Sequence, residues 1–366
     1  MRFVTLFPES ENIHLIKDVG MIAYALHKKY GFQSYLACYN NGEYPYLKKE
    51  VKGLKVNFIK KYTGNATLDS IVYLMKNSNK IDVLHIFHLS KRSYLWILIY
   101  KFLNSSGKVF LKLDANREIK TYLIYKKGAK HNFIKYIFRK CKLVSVETKE
   151  LCDYFNENNF KEVKFVPNGF YESNFNIERN VNIKKKDVII TVGRIGSKEK
   201  ANDILLQAFA LIHDKIPNWK LNLVGPIEDK FKDYIYKYFN KYPSLKDKVS
   251  FKGPMYDREI LKNEYESAKI FCLTSLYESF GFVLVEAIKN GCYVISSDVP
   301  AAYDITNNEK YGRIFPVNDI EKLCELLLEK CKSQELKYIS NEIQNFAYEN
   351  YNWMVICDKI KSFLEI

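Results

Sequence analysis

Ile270-Phe-Cys-Leu-Thr274, then Glu278-Ser-Phe-Gly-Phe-Val-Leu-Val-Glu286, is the stretch whose reading decides the fold. The first run is short and apolar, as a strand buried on both faces is. A turn containing Gly281 follows, and a helical pattern runs on to Asn290-Gly291, a helix stop signal. The start of such a helix carries N–H groups without helical partners and partial positive charge. That end suits a phosphate. Glu278 precedes the helix and Glu286 lies about a turn inside it, so carboxylates flank the anion position. Carboxylates suit hydroxyl-rich groups such as a ribose and a second sugar. Sugar, diphosphate and ribose in that order make a nucleotide sugar. Two glutamates at this spacing also arise by chance, and many surface helices begin after a glycine, so the rest of the chain must decide.

Outward from that stretch, strands and helices alternate. Strands are predicted over Val188–Gly193, Trp219–Val224, Val249–Phe251, Ile270–Thr274, Tyr293–Ser296 and Gly312–Phe315. Helices are predicted over Asn202–His213, Lys230–Phe239, Arg258–Tyr265, Gly281–Asn290 and Asp319–Cys331. The N-terminal half has the same rhythm. Its strands are Arg2–Phe7, Gln33–Tyr39, Leu54–Ile59, Val83–Phe87, Val109–Leu113, Leu143–Val146 and Val163–Val166, and its helices Ile16–Tyr30, Leu68–Lys76, Ser93–Leu103 and Thr148–Asn156. Alternation of this kind predicts parallel, doubly wound sheets, so the fold class is α/β with two Rossmann-like units facing across a cleft. The turn residues Pro167-Asn168-Gly169 and the polar run after them place the boundary. The expected division is 1–170, a linker at 171–186, a second domain at 187–345, and 346–366 as a tail. The tail around Trp353, Ile360 and Leu364 reads as an amphipathic helix that needs an apolar surface, for which the first domain serves.

Composition narrows the class. The chain has 366 residues with 47% hydrophobic, enough for two cores and too apolar for global disorder. Its eight cysteines show no C-x-x-C spacing and read as buried thiols in a reducing cytosol. The six histidines form no zinc pattern. No apolar run is long enough to span a bilayer, so a cytoplasmic protein is expected, peripheral at the inner face of the membrane. The net charge of +15 is lopsided: residues 1–175 hold 29 Lys/Arg and 15 Asp/Glu, whereas residues 176–366 hold 28 and 27. The two halves should therefore meet different partners. Much of the excess sits at 117–142, where Lys126, Lys127, Lys130, Lys135, Arg139 and Lys140 interleave with Tyr122, Tyr125, Phe133, Tyr136 and Phe138. Such a segment suits an anionic membrane surface, although a solvated helix face has the same composition. A nucleic-acid binder would share the charge, but no zinc-finger, helix-turn-helix or RNA-recognition signature accompanies it.

A second phosphate element lies upstream. The strand Val188–Val192 ends in Gly193-Arg194-Ile195-Gly196, and Lys200 follows just before the next helix. Glycine lets a backbone approach a ligand, Arg can grip two phosphate oxygens, and Lys adds a point charge. Gly193-Arg194 with Lys200, then Gly225, Gly253 and the Glu278…Glu286 pair, together with Pro167-Asn168-Gly169, resemble the retaining GT-B glycosyltransferases of family 4.

The resemblance implies a sugar donor such as a UDP- or GDP-sugar, bound mainly by the second domain, and a glycan acceptor, lipid-linked in the reading that uses the basic segment. It implies that Arg194 and Lys200 neutralise the diphosphate. Gly193, Phe280, Gly281 and Phe282 would approach the phosphate and sugar, with Glu278 on the sugar and Glu286 on the ribose. Pro254 and Met255 would line the base pocket. No obligatory metal is implied, since cations and a helix end can stabilise the leaving diphosphate. Retention and a front-face mechanism are likewise implied by the family alone. The first half departs from the pattern. Pro8-Glu-Ser-Glu-Asn-Ile-His14 contains no glycine where many members have a glycine-rich loop. Asp82-Val-Leu-His85-Ile-Phe-His88 resembles the family's Asp-x-x-His-x-His with the last His displaced by one. His88 is expected at a strand end facing the ligand, His85 within the core, and Asp114 at a second strand end on the acceptor side. A non-catalytic partner of an active glycosyltransferase, or a sugar-nucleotide epimerase of the same architecture, are the alternatives.

Overall fold

The computed structural model describes residues 1–124, 128–160, 162–170 and 185–366. These fall into two compact units, the first joining residues up to 170 with Asn350–Ile366 and the second holding residues 185–349. The expected linker at 171–186 lies outside the described residues except for Lys185 and Lys186.

Among the described residues, the first unit's sheet has strands β1 Arg2–Leu6, β2 Gln33–Cys38, β3 Lys55–Phe58, β4 Val83–Phe87, β5 Lys108–Lys112, β6 Leu143–Val146 and β7 Lys164–Phe165. Their order is β3-β2-β1-β4-β5-β6-β7, and every pair is parallel. Helices cover both faces, which is why β4 and β6 are buried at every position. The order reverses between β1 and β4, so the loops after those strands diverge and leave a crevice at their carboxyl ends.

The predicted helix Ile16–Tyr30 starts two residues later than expected. A short 3-10 turn, Asn12–Ile16, is followed by an α-helix over Asp18–Tyr30, because Lys17 between them is extended. Gly31 ends the helix in the left-handed region, φ 69°, as a C-terminal glycine does. The sequence reading had no counterpart for the helices Tyr46–Lys49 or Ala302–Ile305, nor for the separate helix Ser340–Tyr351.

The tail helix, Trp353–Leu364, packs on the helix Asp18–Tyr30. Trp353, Ile356, Cys357, Ile360 and Leu364 are buried, each such aliphatic or aromatic side chain contributing roughly 1.5–3 kcal/mol. Lys29 Nζ fixes the register by donating to Asp358 Oδ2 at 2.6 Å, and Lys108 Nζ donates to the Leu364 carbonyl at 2.9 Å. The chain's exit and return run side by side, with Phe170 N donating to the Tyr351 carbonyl at 2.9 Å. Gly169 is required there, because a Cβ would lie 2.6 Å from that same oxygen.

The second unit has β8 Lys186–Val192, β9 Lys220–Val224, β10 Val249–Gly253, β11 Ala268–Leu273, β12 Tyr293–Ser297 and β13 Gly312–Phe315. Their order is β10-β9-β8-β11-β12-β13, again parallel throughout. Here the order reverses between β8 and β11. The two motifs singled out in the sequence follow these two strands.

Candidate active site

β11 ends at Leu273, and the buried Thr274 and Ser275 lead into the turn before Glu278. Gly281 sits at φ 82° and ψ 69° as the N-cap of the helix Phe282–Lys289. A side chain there would be strained, and a Cβ would come 3.2 Å from Leu284 Cδ1. Gly281 has no side chain with which to cap this helix, and its first turn holds no acidic residue, so the positive end is left for a ligand. Phe280 is buried and sets its ring edge-on to Phe282, 5.9 Å between centroids, which anchors the turn on both sides of the glycine.

The loop after β8 is tied to this turn at several points. Leu276 N donates to the Glu199 carbonyl at 2.8 Å, and Thr274 Oγ1 donates to the Lys200 carbonyl at 2.9 Å. Gly196 N donates to Asn202 Oδ1 at 2.8 Å, closing the loop on the start of the helix Asn202–Ile212. Ala201 takes up the left-handed region, φ 44°, between the lysine and that helix. These bonds bring Lys200 Nζ onto Glu278 Oε1, an ion pair with side chains 19% and 13% exposed. Ser275 Oγ also donates to Glu278 Oε1, at 2.8 Å. Gly193 lies against the stem of Lys200, and Gly225 at the end of β9 abuts the Gly193 carbonyl so closely that a Cβ would stand 1.8 Å from it.

Arg194 is in the same loop but behaves differently. It pairs with Glu199 and is 60% exposed, so in this state it does not reach toward the Lys200–Glu278 pair. Glu286 is half-buried, and its Oε2 accepts a 3.0 Å bond from the hydroxyl of Tyr265. Burial pushes the Glu286 carboxyl above the ordinary carboxylate range, against the Tyr265 bond that favours its ionised form. Tyr265, from the helix Arg258–Ser267, is fully buried. It is a candidate site residue through that bond, one that sequence reasoning missed and no local pattern marks. Pro254 is exposed and Met255 half-buried, in the segment after β10 and Gly253. Among the described residues no group of acidic, His and Cys side chains has the arrangement of a metal site.

In the first unit, His88 and Asp114 follow β4 and β5, and the two side chains face each other with Nδ1 to Oδ2 at 3.9 Å. His85 is buried, stacked on Phe110 at 4.4 Å, with Nδ1 sharing a hydrogen bond with Thr5 Oγ1. Desolvation holds its imidazole well below the usual range. Of the basic segment, Lys126 and Lys127 lie outside the described residues. Lys130, Arg139 and Lys140 are exposed on the helix Ala129–Lys140, and Lys135 is half-buried over the Phe160 ring. Arg117 and Lys120 are less free than the sequence suggests, because Glu150 pairs with both, at 2.8 and 2.6 Å.

Residues 173–353 match the family described as glycosyl transferases group 1. That stretch of the chain belongs to the family. An uncharacterized glycosyltransferase of Methanocaldococcus jannaschii is 28% identical over 235 residues, covering 59% of this chain and 57% of that one. The sulfoquinovosyl transferase of Arabidopsis thaliana is 25% identical over 181 residues, covering 49% and 33%. The chain thus spans between a third and three fifths of the length of these relatives. Anabaena HepE, solved with UDP, is 16% identical and covers 100% of both chains with a TM-score of 0.73. That likeness is one of fold, two Rossmann-like units as in the GT-B architecture.

Proposed function

We propose that this chain is a retaining glycosyltransferase that moves a sugar from a nucleotide diphosphate sugar to a hydroxyl of a glycan. The observation that carries the reading is the Lys200–Glu278 pair beside the uncapped start of the helix Phe282–Lys289. A diphosphate placed at that helix end gains the helix charge and the Lys200 ammonium together. Arg194 adds its charge by leaving Glu199. Charge building on the leaving diphosphate is then stabilised by groups already in place, so transfer is expected to survive chelation of divalent ions. Glu278, released by Lys200, faces hydroxyls of the transferred sugar. Glu286 accepts from the ribose, Gly193 gives room, and Pro254 and Met255 flank the base. His88 is assigned to the catalytic set as a contact to the sugar or the acceptor, and Asp114 to the acceptor side. HepE, with UDP in its structure, supports a uridine donor over a guanosine one.

The acceptor is proposed to be lipid-linked, with the enzyme peripheral at the inner face of the membrane. Phe133 and Tyr136, 42% and 43% exposed, share the outer face of a helix with Lys130, Arg139 and Lys140. Aromatic rings and cations together suit a headgroup layer.

A panel of UDP- and GDP-sugars, assayed for donor hydrolysis and for transfer, tests the assignment. The expected result is turnover of one donor with the anomeric configuration kept. Nucleotide binding with no turnover of any donor would favour a non-catalytic partner. Interconversion of the donor sugar would favour an epimerase.

A further inference from the structure

The ends of β4 and β5 carry more machinery than a chain turn needs. His88 and Asp114 both occupy the left-handed region, at φ 65° and 44°. His and Asp are among the side chains that enter this region most readily after glycine. Each backbone is held from outside. Ser93 Oγ donates to the His88 carbonyl at 2.7 Å, and His88 N donates to the Lys112 carbonyl at 2.9 Å. Glu147 accepts from Asp114 N at 3.1 Å through Oε1 and from Ala115 N at 3.0 Å through Oε2.

Glu147 is in turn fixed by Lys112, whose Nζ donates to its Oε1 at 2.5 Å. Lys112 is wholly buried and also reaches Asp18 Oδ2 at 3.4 Å. Asp18 opens its helix by accepting from Val19 N through Oδ1 at 3.0 Å. Three carboxylates, Asp18, Glu147 and Asp114, therefore gather around one lysine. Two of them are spent inside the protein. Asp114, with its side chain 34% exposed, is left facing outward beside His88. The ring of Phe7 stands 6.1 Å from His88 and 5.6 Å from His14, an apolar patch next to the polar pair.

We propose that Lys112, Glu147 and Asp18 are positioning residues that fix Asp114 and His88 as a pair binding adjacent hydroxyls of an uncharged sugar of the acceptor, over Phe7. The class follows from charge. Burial pushes the Asp18 and Glu147 carboxyls upward, so the charge that faces a ligand is that of Asp114, and a phosphate or uronate set against that carboxylate is repelled. A neutral sugar offers donors to Asp114, and His88 can donate or accept. The proposal rests on the glycosyltransferase reading for the word acceptor, but the binding site itself stands on the geometry of the first unit.

The test is saturation-transfer NMR with the methyl glycosides of glucose, galactose, mannose and N-acetylglucosamine, and with methyl glucuronide as the charged control. UDP binding by calorimetry and the melting temperature are read on the same samples. At least one neutral glycoside should bind the unaltered chain, and glucuronide should not. Asp114→Asn, which tolerates the left-handed backbone, should abolish the signal. Glu147→Gln and Lys112→Met should weaken it at least about tenfold while UDP affinity holds, and Lys112→Arg should restore part of it. Binding that ignores Asp114→Asn, equal binding of glucuronide, or no binding of any neutral glycoside overturns the proposal. Should the Lys112 and Glu147 variants fail to fold, the hydroxyl-binding pair is decided by Asp114→Asn, and positioning by Asp18→Asn, which should weaken glycoside binding while UDP affinity holds and refutes the positioning role if binding is unchanged. Glycoside binding without any UDP binding would leave this site standing and remove the donor reading instead.

Discussion

Lys200 and Glu278, 78 residues apart in the chain, form an ion pair where the loops after β8 and β11 meet. The pair keeps both charges compensated in the absence of a ligand. A bound diphosphate offers Lys200 a stronger partner and frees the carboxylate.

Removing either partner should therefore have different effects. Lys200→Ala should weaken UDP binding by roughly tenfold to a hundredfold, the scale of a lost charged hydrogen bond. Glu278→Gln keeps the shape and the Ser275 contact. It should lower kcat by at least about tenfold with UDP affinity little changed. Calorimetry with UDP and steady-state transfer separate the two. Equal loss of both quantities in both variants would contradict the assignment.

Gly281→Ala tests the turn. The alanine must hold φ 82° and meets Leu284 Cδ1 at 3.2 Å. A cost of about 1 kcal/mol or more in stability is expected. Nucleotide affinity should fall as well, because the first turn of the helix shifts. Thermal melting and UDP titration read the two effects.

Glu286 gives a dependence on pH. Its folded carboxyl titrates above the unfolded value because of burial. Its contribution to stability is then present at low pH and is lost as pH rises from the ordinary carboxylate range through the raised folded value. Glu286→Gln removes this loss and can still accept from Tyr265. The variant should gain stability over the unaltered chain as pH rises through that window. Melting curves from pH 4 upward, about half a unit apart, follow the difference. A constant difference would show that the carboxyl is not perturbed.

Trp353→Ala should destabilise the first unit by about 3–5 kcal/mol, the range for deleting a buried large aromatic. Urea unfolding followed by Trp96 fluorescence in a Trp219→Phe background measures it. The signal of Trp219, in the second unit, should be unaffected in the converse background.

Regular elements were legible because they are local. β4, β6 and β13 begin and end where their apolar runs do. The helix over Asp18–Tyr30 was legible as a face but not at its start, since nothing in the pattern says that Lys17 is extended. The donor motifs were legible as residue types at a spacing. Their pairings were not. Lys112 closes a strand whose middle is apolar, and its role depends on Glu147 at the end of the neighbouring strand. Tyr265 reaches Glu286 only because two helices pack together. Arg194 carries the residue type expected of a phosphate clamp, yet its state is set by Glu199 five residues on. Such facts depend on register and packing, which periodicity does not encode.

The helix Trp353–Leu364 has a further consequence. It finishes the core of the first unit, but it is made after the whole of the second. On the ribosome the second unit can fold first, while Val19, Ile22 and Leu26 in the first still lack their cover. Order of synthesis and order of completion are thus inverted. A chain stopped anywhere in the second unit leaves an uncovered apolar face, a mark that proteolysis or a holdase chaperone can read.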